Sequence, residues 1–167
     1  MIITVSPEGY ISWGQERARC ALGKGGVRTD KREGDGATPV GEFPLRRVLY
    51  RADRIARPST ALDCAPIGPE DGWCDDPSSP DYNRPVRLPH PARHERMWRE
   101  DGVYDIVVVL GHNDDPPVPG LGSAVFMHLA RPGYAPTEGC VALEREDLLR
   151  LLAACGRDAR LIVTPPA

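Results

Sequence analysis

A cysteine attacks as its thiolate, so a nucleophilic role requires a base nearby or a depressed pKa. The chain offers one such pairing. Cys140 stands in "PTEGCVAL", and His128 ends the apolar run "SAVFMHL", with eleven residues between them. That interval, broken by Pro and Gly, is long enough for a loop whose ends meet. Gly139 leaves room for a substrate to approach the backbone, and N–H groups around Gly139 to Val141 could form an oxyanion hole. The competing reading is structural. An isolated cysteine in apolar surroundings is usually an inert packing residue, and a single histidine more often serves the fold. Spacing alone leaves both open.

Other residues could complete or replace this pair. His112 and Asn113 in "LGHND" follow an apolar run, as His128 ends its neighbour, and could line the same cleft. Their blander role is a loop that bonds its own backbone. His112, Asp114 or Asp115, and His128 would make a zinc set, but that reading leaves Cys140 without a purpose, and we expect no metal. Of the remaining cysteines, Cys20 and Cys155 lie within apolar patterns and belong to the core. Cys64 and Cys74 flank "APIGPEDGW", which a disulfide could close; two reduced structural thiols are the competing reading. "GDGATPVG" lacks the Gly-Lys-Ser/Thr ending of a phosphate cradle, and no helical pattern follows it.

The elements that would position these residues are mostly β. The 167 residues suffice for one domain with a core, and 41% hydrophobic against 27% charged predicts folding. Gly (17) and Pro (18) make about a fifth of the chain, which predicts many turns rather than a helical bundle. A net charge of −3 with interspersed signs leaves no footprint for nucleic acid. No apolar stretch reaches the roughly 18 residues of a membrane span, and "MIITVSPEGYISW" lacks the pattern of a secretory signal. "IITV" and "YISW", separated by "SPEG", predict an opening hairpin, with "RARCAL" as a third strand and "EFPLRRVLYR" as another. The glycine-rich segment between them reads as a long loop. Residues 58–91 read as a long irregular loop that faces a ligand, with Tyr82 and Asn83 as contact candidates. "PARHERMWRED" predicts a short helix. "YDIVVVLG" and "SAVFMHLA" predict two buried strands. A helix over about 144–155, stopped by Gly156, precedes a last strand in "ARLIVTP".

"DKREGDGATPVGEFPL", "DGWCDDPSSPDYNRPV", "GHNDDPPVPGLGSAVFMHL" and "PTEGCVAL" together resemble the L,D-transpeptidase catalytic domain (YkuD-type). They follow that family's order over most of Asp30 to Leu143. "TPVGEF" is similar to its Thr-Pro-x-Gly element, and "TEGCV" to its Ser/Thr-x-Gly-Cys-Val/Ile signature. The resemblance implies a mainly β, sandwich-like single domain over residues 1–167. It also implies Cys140 as nucleophile, His128 as base and the Leu129 carbonyl orienting the imidazole. Two positions depart from it. Glu138 stands where many members carry His, and Ala142 where many carry Arg. An arginine there would bind anionic substrate, so Arg131 and Arg84 are candidate surrogates. In an extended strand Glu138 and Cys140 would share a face, and a carboxylate beside a thiol raises its pKa unless a cation intervenes.

The activity so implied is acyl transfer between peptidoglycan stem peptides. The carbonyl of an L-residue joined to a D-residue would pass through Cys140 to a diaminopimelate side-chain amine. Depending on the donor bond, 3,3 or 1,3 cross-links result. No cofactor is required. Water as acceptor would give an L,D-carboxypeptidase. A zinc-dependent peptidase and a non-catalytic peptidoglycan-binding protein are the competing classes. The family's thiol reacts with carbapenems. The substrate implies the periplasm, although the absence of a signal pattern leaves a cytoplasmic role or non-classical export open.

Overall fold

A computed structural model describes all 167 residues. Its strands are β1 (Ile2–Ser6), β2 (Tyr10–Trp13), β3 (Glu16–Arg19), β4 (Val27–Arg28), β5 (Thr38–Pro39), β6 (Gly41–Tyr50) and β7 (Cys64–Pro66). They continue with β8 (Asp71–Cys74), β9 (Pro85–Arg87), β10 (His94–Arg96), β11 (Ile106–Leu110), β12 (Phe126–Leu129), β13 (Val141–Leu143) and β14 (Arg160–Val163). One α-helix, α1 (Arg145–Ala154), lies between β13 and β14. The main sheet runs β13-β12-β11-β6-β14-β1-β2-β3, with β7 added beside β6. A second sheet, β10-β8-β9, and the short β4–β5 ladder complete the architecture. This is the mainly β, sandwich-like fold with a single helix that the sequence predicts.

The alternation of side chains along a strand organises both faces of the main sheet. On β11, Ile106, Val108 and Leu110 enter a large core with Leu148, Leu151 and Leu152 of α1. Val107 and Val109 turn to a smaller cluster with Trp73, Met97, Tyr104, Phe126 and Cys140. β12 divides in the same way: Met127 and Leu129 join the helix side, and Phe126 joins the opposite one. His128, two residues after Phe126, therefore faces the smaller cluster. On β13, Val141 and Leu143 pack toward the helix, which leaves Cys140 on the face of His128. An uninterrupted β-branched run such as "IVVVL" suits a strand covered on both sides. The cover on the second face is the β10-β8-β9 sheet, whose Trp73 meets the Phe126 ring edge-on at 5.0 Å.

Several expectations need correction. "PARHERMWRED" forms no helix; His94–Arg96 pairs antiparallel with β8. Met97 and Trp98 are too few to make an apolar helical stripe, whereas strand pairing satisfies the backbone and buries Met97 completely. Residues 58–91 are not one irregular loop, because they contain β7, β8 and β9. The strand read in "RARCAL" is shorter, and beyond Arg19 the chain passes into isolated bridges, Ala21 to Ala142 and Gly23 to Thr137. All five cysteines are free, with Cys64 on the main sheet and Cys74 buried in the second sheet.

One buried amide joins the two sheets behind the site. Asn83 Oδ1 accepts from Trp73 Nε1 at 2.9 Å and from the Ala124 N–H at 3.0 Å. Its Nδ2 donates to the carbonyls of His112 and Asn113 at 3.1 and 2.7 Å. Replacement by alanine strands several of these groups in a dry region. We expect Asn83→Ala to lower unfolding free energy by about 2–4 kcal/mol, measured by urea titration with an unchanged m-value. A loss below about 0.5 kcal/mol, the range of ordinary surface changes, would refute this role.

Candidate active site

The sharp turn before Cys140 follows from three residues. Thr137 Oγ1 accepts the Gly139 N–H at 3.1 Å and donates to the Cys140 carbonyl at 2.7 Å. The Thr137 backbone is pinned in turn: its N–H reaches the Leu22 carbonyl at 2.9 Å, and its carbonyl accepts from Lys24 N–H at 2.8 Å. Gly139 has φ +134°, and a Cβ there would lie 2.7 Å from the Ala37 carbonyl oxygen. No other residue fits without displacing backbone. The Thr-x-Gly-Cys spacing is thus a physical requirement of the turn.

Cys140 is buried. Its Sγ donates to the Ala124 carbonyl at 3.3 Å and accepts the Phe126 N–H at 3.4 Å. Burial pushes the thiol up to about 12, and the nearby Glu95 carboxylate adds to the rise; the Phe126 N–H and Lys31 oppose it. At neutral pH the sulfur therefore carries its proton. His128 is also buried, and loss of solvation lowers it to about 4. The Leu129 carbonyl pulls it back up, while Arg131 and Arg99 push it down. Its Nδ1 lies 3.0 Å from the Leu129 oxygen. A carbonyl can only accept, so Nδ1 holds the proton and Nε2 keeps the lone pair a base requires. The Tyr104 ring meets the imidazole at 5.4 Å between centroids and fixes its plane.

Both groups line a cleft of about 380 Å³. Gly139, Glu138 and Arg131 are in its wall with them, as are Lys31, Arg93 and Arg99. Lys31 is 8% exposed and pairs with Asp35 at 2.7 Å. Asp35 also accepts from the N–H groups of Arg32 and Ala37, at 2.8 and 2.9 Å. The glycine-rich segment read as a loop is therefore a scaffold that presents a cation beside the nucleophile turn. Gly23 belongs to the same packing: a Cβ there would meet the Gly36 oxygen at 2.2 Å and the Gly139 Cα at 3.0 Å.

Not every sequence candidate is in the cleft. His112 Nε2 contacts the Leu121 carbonyl at 3.2 Å, and the ring packs edge-on against Phe43 at 5.4 Å. Asn113 donates to Val118 and Gly122 carbonyls and receives the Val118 N–H, which holds the 113–122 loop. Both residues shape the fold behind the site. Asp114 binds Arg46 at 2.9 Å, so His112, Asp114 and His128 serve three separate arrangements. Asn83 is the buried tie described above. Tyr82 donates to Glu33 at 2.6 Å and accepts the Gly122 N–H at 3.0 Å, and Glu33 is what reaches the cleft. Arg84 lines a different cavity with Arg46, Arg47 and Trp73, and so does not substitute for an arginine at 142. Arg131 does reach the cleft.

Glu138 does not share a face with Cys140. The turn at Gly139 breaks the strand alternation, so Glu138 projects outward, 80% exposed, and pairs with Lys24 at 2.9 Å. The carboxylate that acts on the thiol is Glu95. Position 142 is registered beside His128, and its backbone exchanges hydrogen bonds with Ala21 at 2.8 and 2.9 Å, with the alanine fully enclosed. A long side chain there would need a different neighbour. Glu95, Tyr104, Lys31 and Arg99 were missed in the sequence. Glu95 was hidden by the helical reading of its segment, and three polar residues in a row, His94 to Arg96, carry no alternation that would have placed it on a strand.

The pinned Thr-Gly-Cys turn, the oriented imidazole and their shared cleft accord with a match to the family model of the L,D-transpeptidase catalytic domain (YkuD) over residues 2–163. No curated protein and no solved structure matches the chain. With nearly its whole length under that model, the chain belongs to the L,D-transpeptidase catalytic domain family.

Proposed function

We propose that the protein is a peptidoglycan L,D-transpeptidase that works through a thioester on Cys140. The observation that carries this reading is the imidazole of His128, anchored through Nδ1 to the Leu129 carbonyl, with Nε2 free in the cleft that Cys140 lines. Family membership supplies the substrate class, peptidoglycan peptides.

The resting pair is neutral: Cys140 holds its proton and His128 lacks one. Attack on the carbonyl of an L-residue joined to a D-residue then moves the thiol proton to Nε2 as the C–S bond forms. The Leu129 carbonyl stabilises the imidazolium that results. The Gly139 N–H is engaged by Thr137, whereas the Cys140 N–H has no acceptor in the protein and is the donor open to the tetrahedral oxyanion. His128 gives its proton to the departing amine, and the C–N bond breaks. An amine, the diaminopimelate side chain of a second stem, resolves the thioester into a 3,3 or a 1,3 cross-link; water in its place gives a carboxypeptidase. Lys31, Arg99 and Arg131 in the cleft wall supply positive charge for the carboxylates of a stem peptide. A peptidoglycan substrate supports work in the periplasm, with a cytoplasmic role on precursors as the alternative.

Purified sacculi or a disaccharide tetrapeptide, incubated with the protein and resolved by mass spectrometry, test the reading. Wild type should yield cross-linked or trimmed products, and Cys140→Ala none; identical profiles would refute it. His128→Gln should lower the acylation rate by about 10²–10⁴. Carbapenem should acylate Cys140 and no other cysteine.

The neutral pair has its own consequence. Below its pKa a thiol reacts through a thiolate fraction that grows about tenfold per pH unit. Iodoacetamide alkylation of Cys140, followed at the peptide level, should keep rising from pH 7 to 10. A plateau below pH 8 would reveal a preformed thiolate–imidazolium pair and contradict the account.

A further inference from the structure

The acidic groups of the cleft differ in how they are held. Asp75 pairs with Arg93 at 3.0 Å and Glu138 with Lys24 at 2.9 Å, and Glu33 accepts from Tyr82 and Ser123, both at 2.6 Å. Glu33 and Glu95 both lack an ion-pair partner, and of the two only Glu95 acts on the Cys140 thiol with its charge. Glu95 Oε1 accepts the Tyr104 hydroxyl. Its Oε2 has no protein donor, yet no buried side-chain oxygen lacks a partner, so Oε2 is open to the cleft. The same Tyr104 ring rests against His128, and the Glu95 charge is felt at the Cys140 thiol. A carboxylate oxygen thus stands free in the cleft that Cys140 and His128 also line, on a strand outside the elements that carry them.

Resting on the thioester reading above, we propose that Glu95 receives the acceptor amine: Oε2 binds the incoming ammonium beside the Cys140 thioester and takes one proton from it. The freed amine attacks the thioester carbonyl and the C–S bond breaks. The second proton lost by the nitrogen passes through His128 to the departing sulfur. Amide and thiol result, and Glu95 releases its proton to solvent. An acidic partner also selects a cationic acceptor over water, and so favours cross-linking over hydrolysis.

The chemistry of the site suits that task. Burial raises the Glu95 carboxyl to about 7, against the Tyr104 hydrogen bond and Arg99, which lower it; Asp75 and Glu33 add to the rise. A free lysine-like ammonium holds its proton about six powers of ten more tightly than an ordinary glutamate, and about three more tightly than a carboxyl near 7. Proton transfer to Glu95 is accordingly less uphill.

The test separates two steps of one reaction. A disaccharide tetrapeptide serves as donor, a tripeptide ending in diaminopimelate as acceptor, and intact-protein and product mass spectra are followed in time. Glu95→Gln should form the Cys140 acyl adduct within about threefold of the wild-type rate. Its aminolysis-to-hydrolysis ratio should fall by about 10²-fold, the low end of a general base's contribution. The pH profile of its amine step should lose the limb near 7. Tyr104→Phe keeps the ring against His128 and should retain most of the ratio. Equal loss of both steps in Glu95→Gln, or a Tyr104→Phe variant as defective in the ratio, would overturn the proposal and leave Glu95 as a prop for the tyrosine. Absence of an acyl adduct in wild type would instead remove the thioester reading itself.

Discussion

The hydroxyl of Thr137 holds the site together. By receiving the Gly139 N–H and donating to the Cys140 carbonyl, it turns the chain so that Cys140 is buried in the cleft while Glu138 stands exposed at its rim. The turn cannot relax, because Ala37 lies under Gly139 and the Leu22–Lys24 segment bonds Thr137 on both sides. What precedes β6 is therefore a clamp on the turn that carries Cys140. Its glycines are required where two backbones approach more closely than a Cβ allows.

From that turn, ordinary strand geometry supplies the rest. β12 and β13 are parallel and in register, with His128 opposite Ala142. Alternation sends Phe126, His128 and Cys140 to one side and Met127, Leu129, Val141 and Leu143 to the helix side. That placement costs both titratable groups their solvation, and each is shifted toward its neutral form, Cys140 up and His128 down. In the reaction proposed above, attack would be coupled to proton transfer, which the fixed tautomer of His128 permits. The buried thiol keeps its proton in the resting cleft.

How much of this could be read from the chain depended on whether a signal was local. The buried strands at Ile106–Leu110 and Phe126–Leu129 and the helix at Arg145–Ala154 show in the sequence because their apolar periods are strong. That Cys140 and His128 would line one cleft was suggested by the resemblance around the thiol, which also implied the Leu129 carbonyl beside the imidazole. What was not legible depends on contacts between distant segments. β10 exists only because β8 is there to pair with it, so Glu95 could not be placed before the fold was known. Lys31 lies 109 residues from Cys140 in sequence yet borders Gly139 in space. The error at Glu138 arose from extending strand alternation through a glycine with a positive φ. Those at His112, Asn83 and Asn113 came from reading polar loop residues as ligand contacts when their hydrogen bonds go to the backbone.

In the proposed reaction Cys140 carries the acyl group and His128 enables its transfer. Intact-protein mass spectrometry after brief exposure to a disaccharide tetrapeptide and acid quench addresses it most directly. An adduct of the donor acyl mass is expected on the peptide that contains Cys140, with its formation sharply slowed in His128→Gln. Turnover of the stem peptide without any covalent species on Cys140 would contradict the proposed reaction.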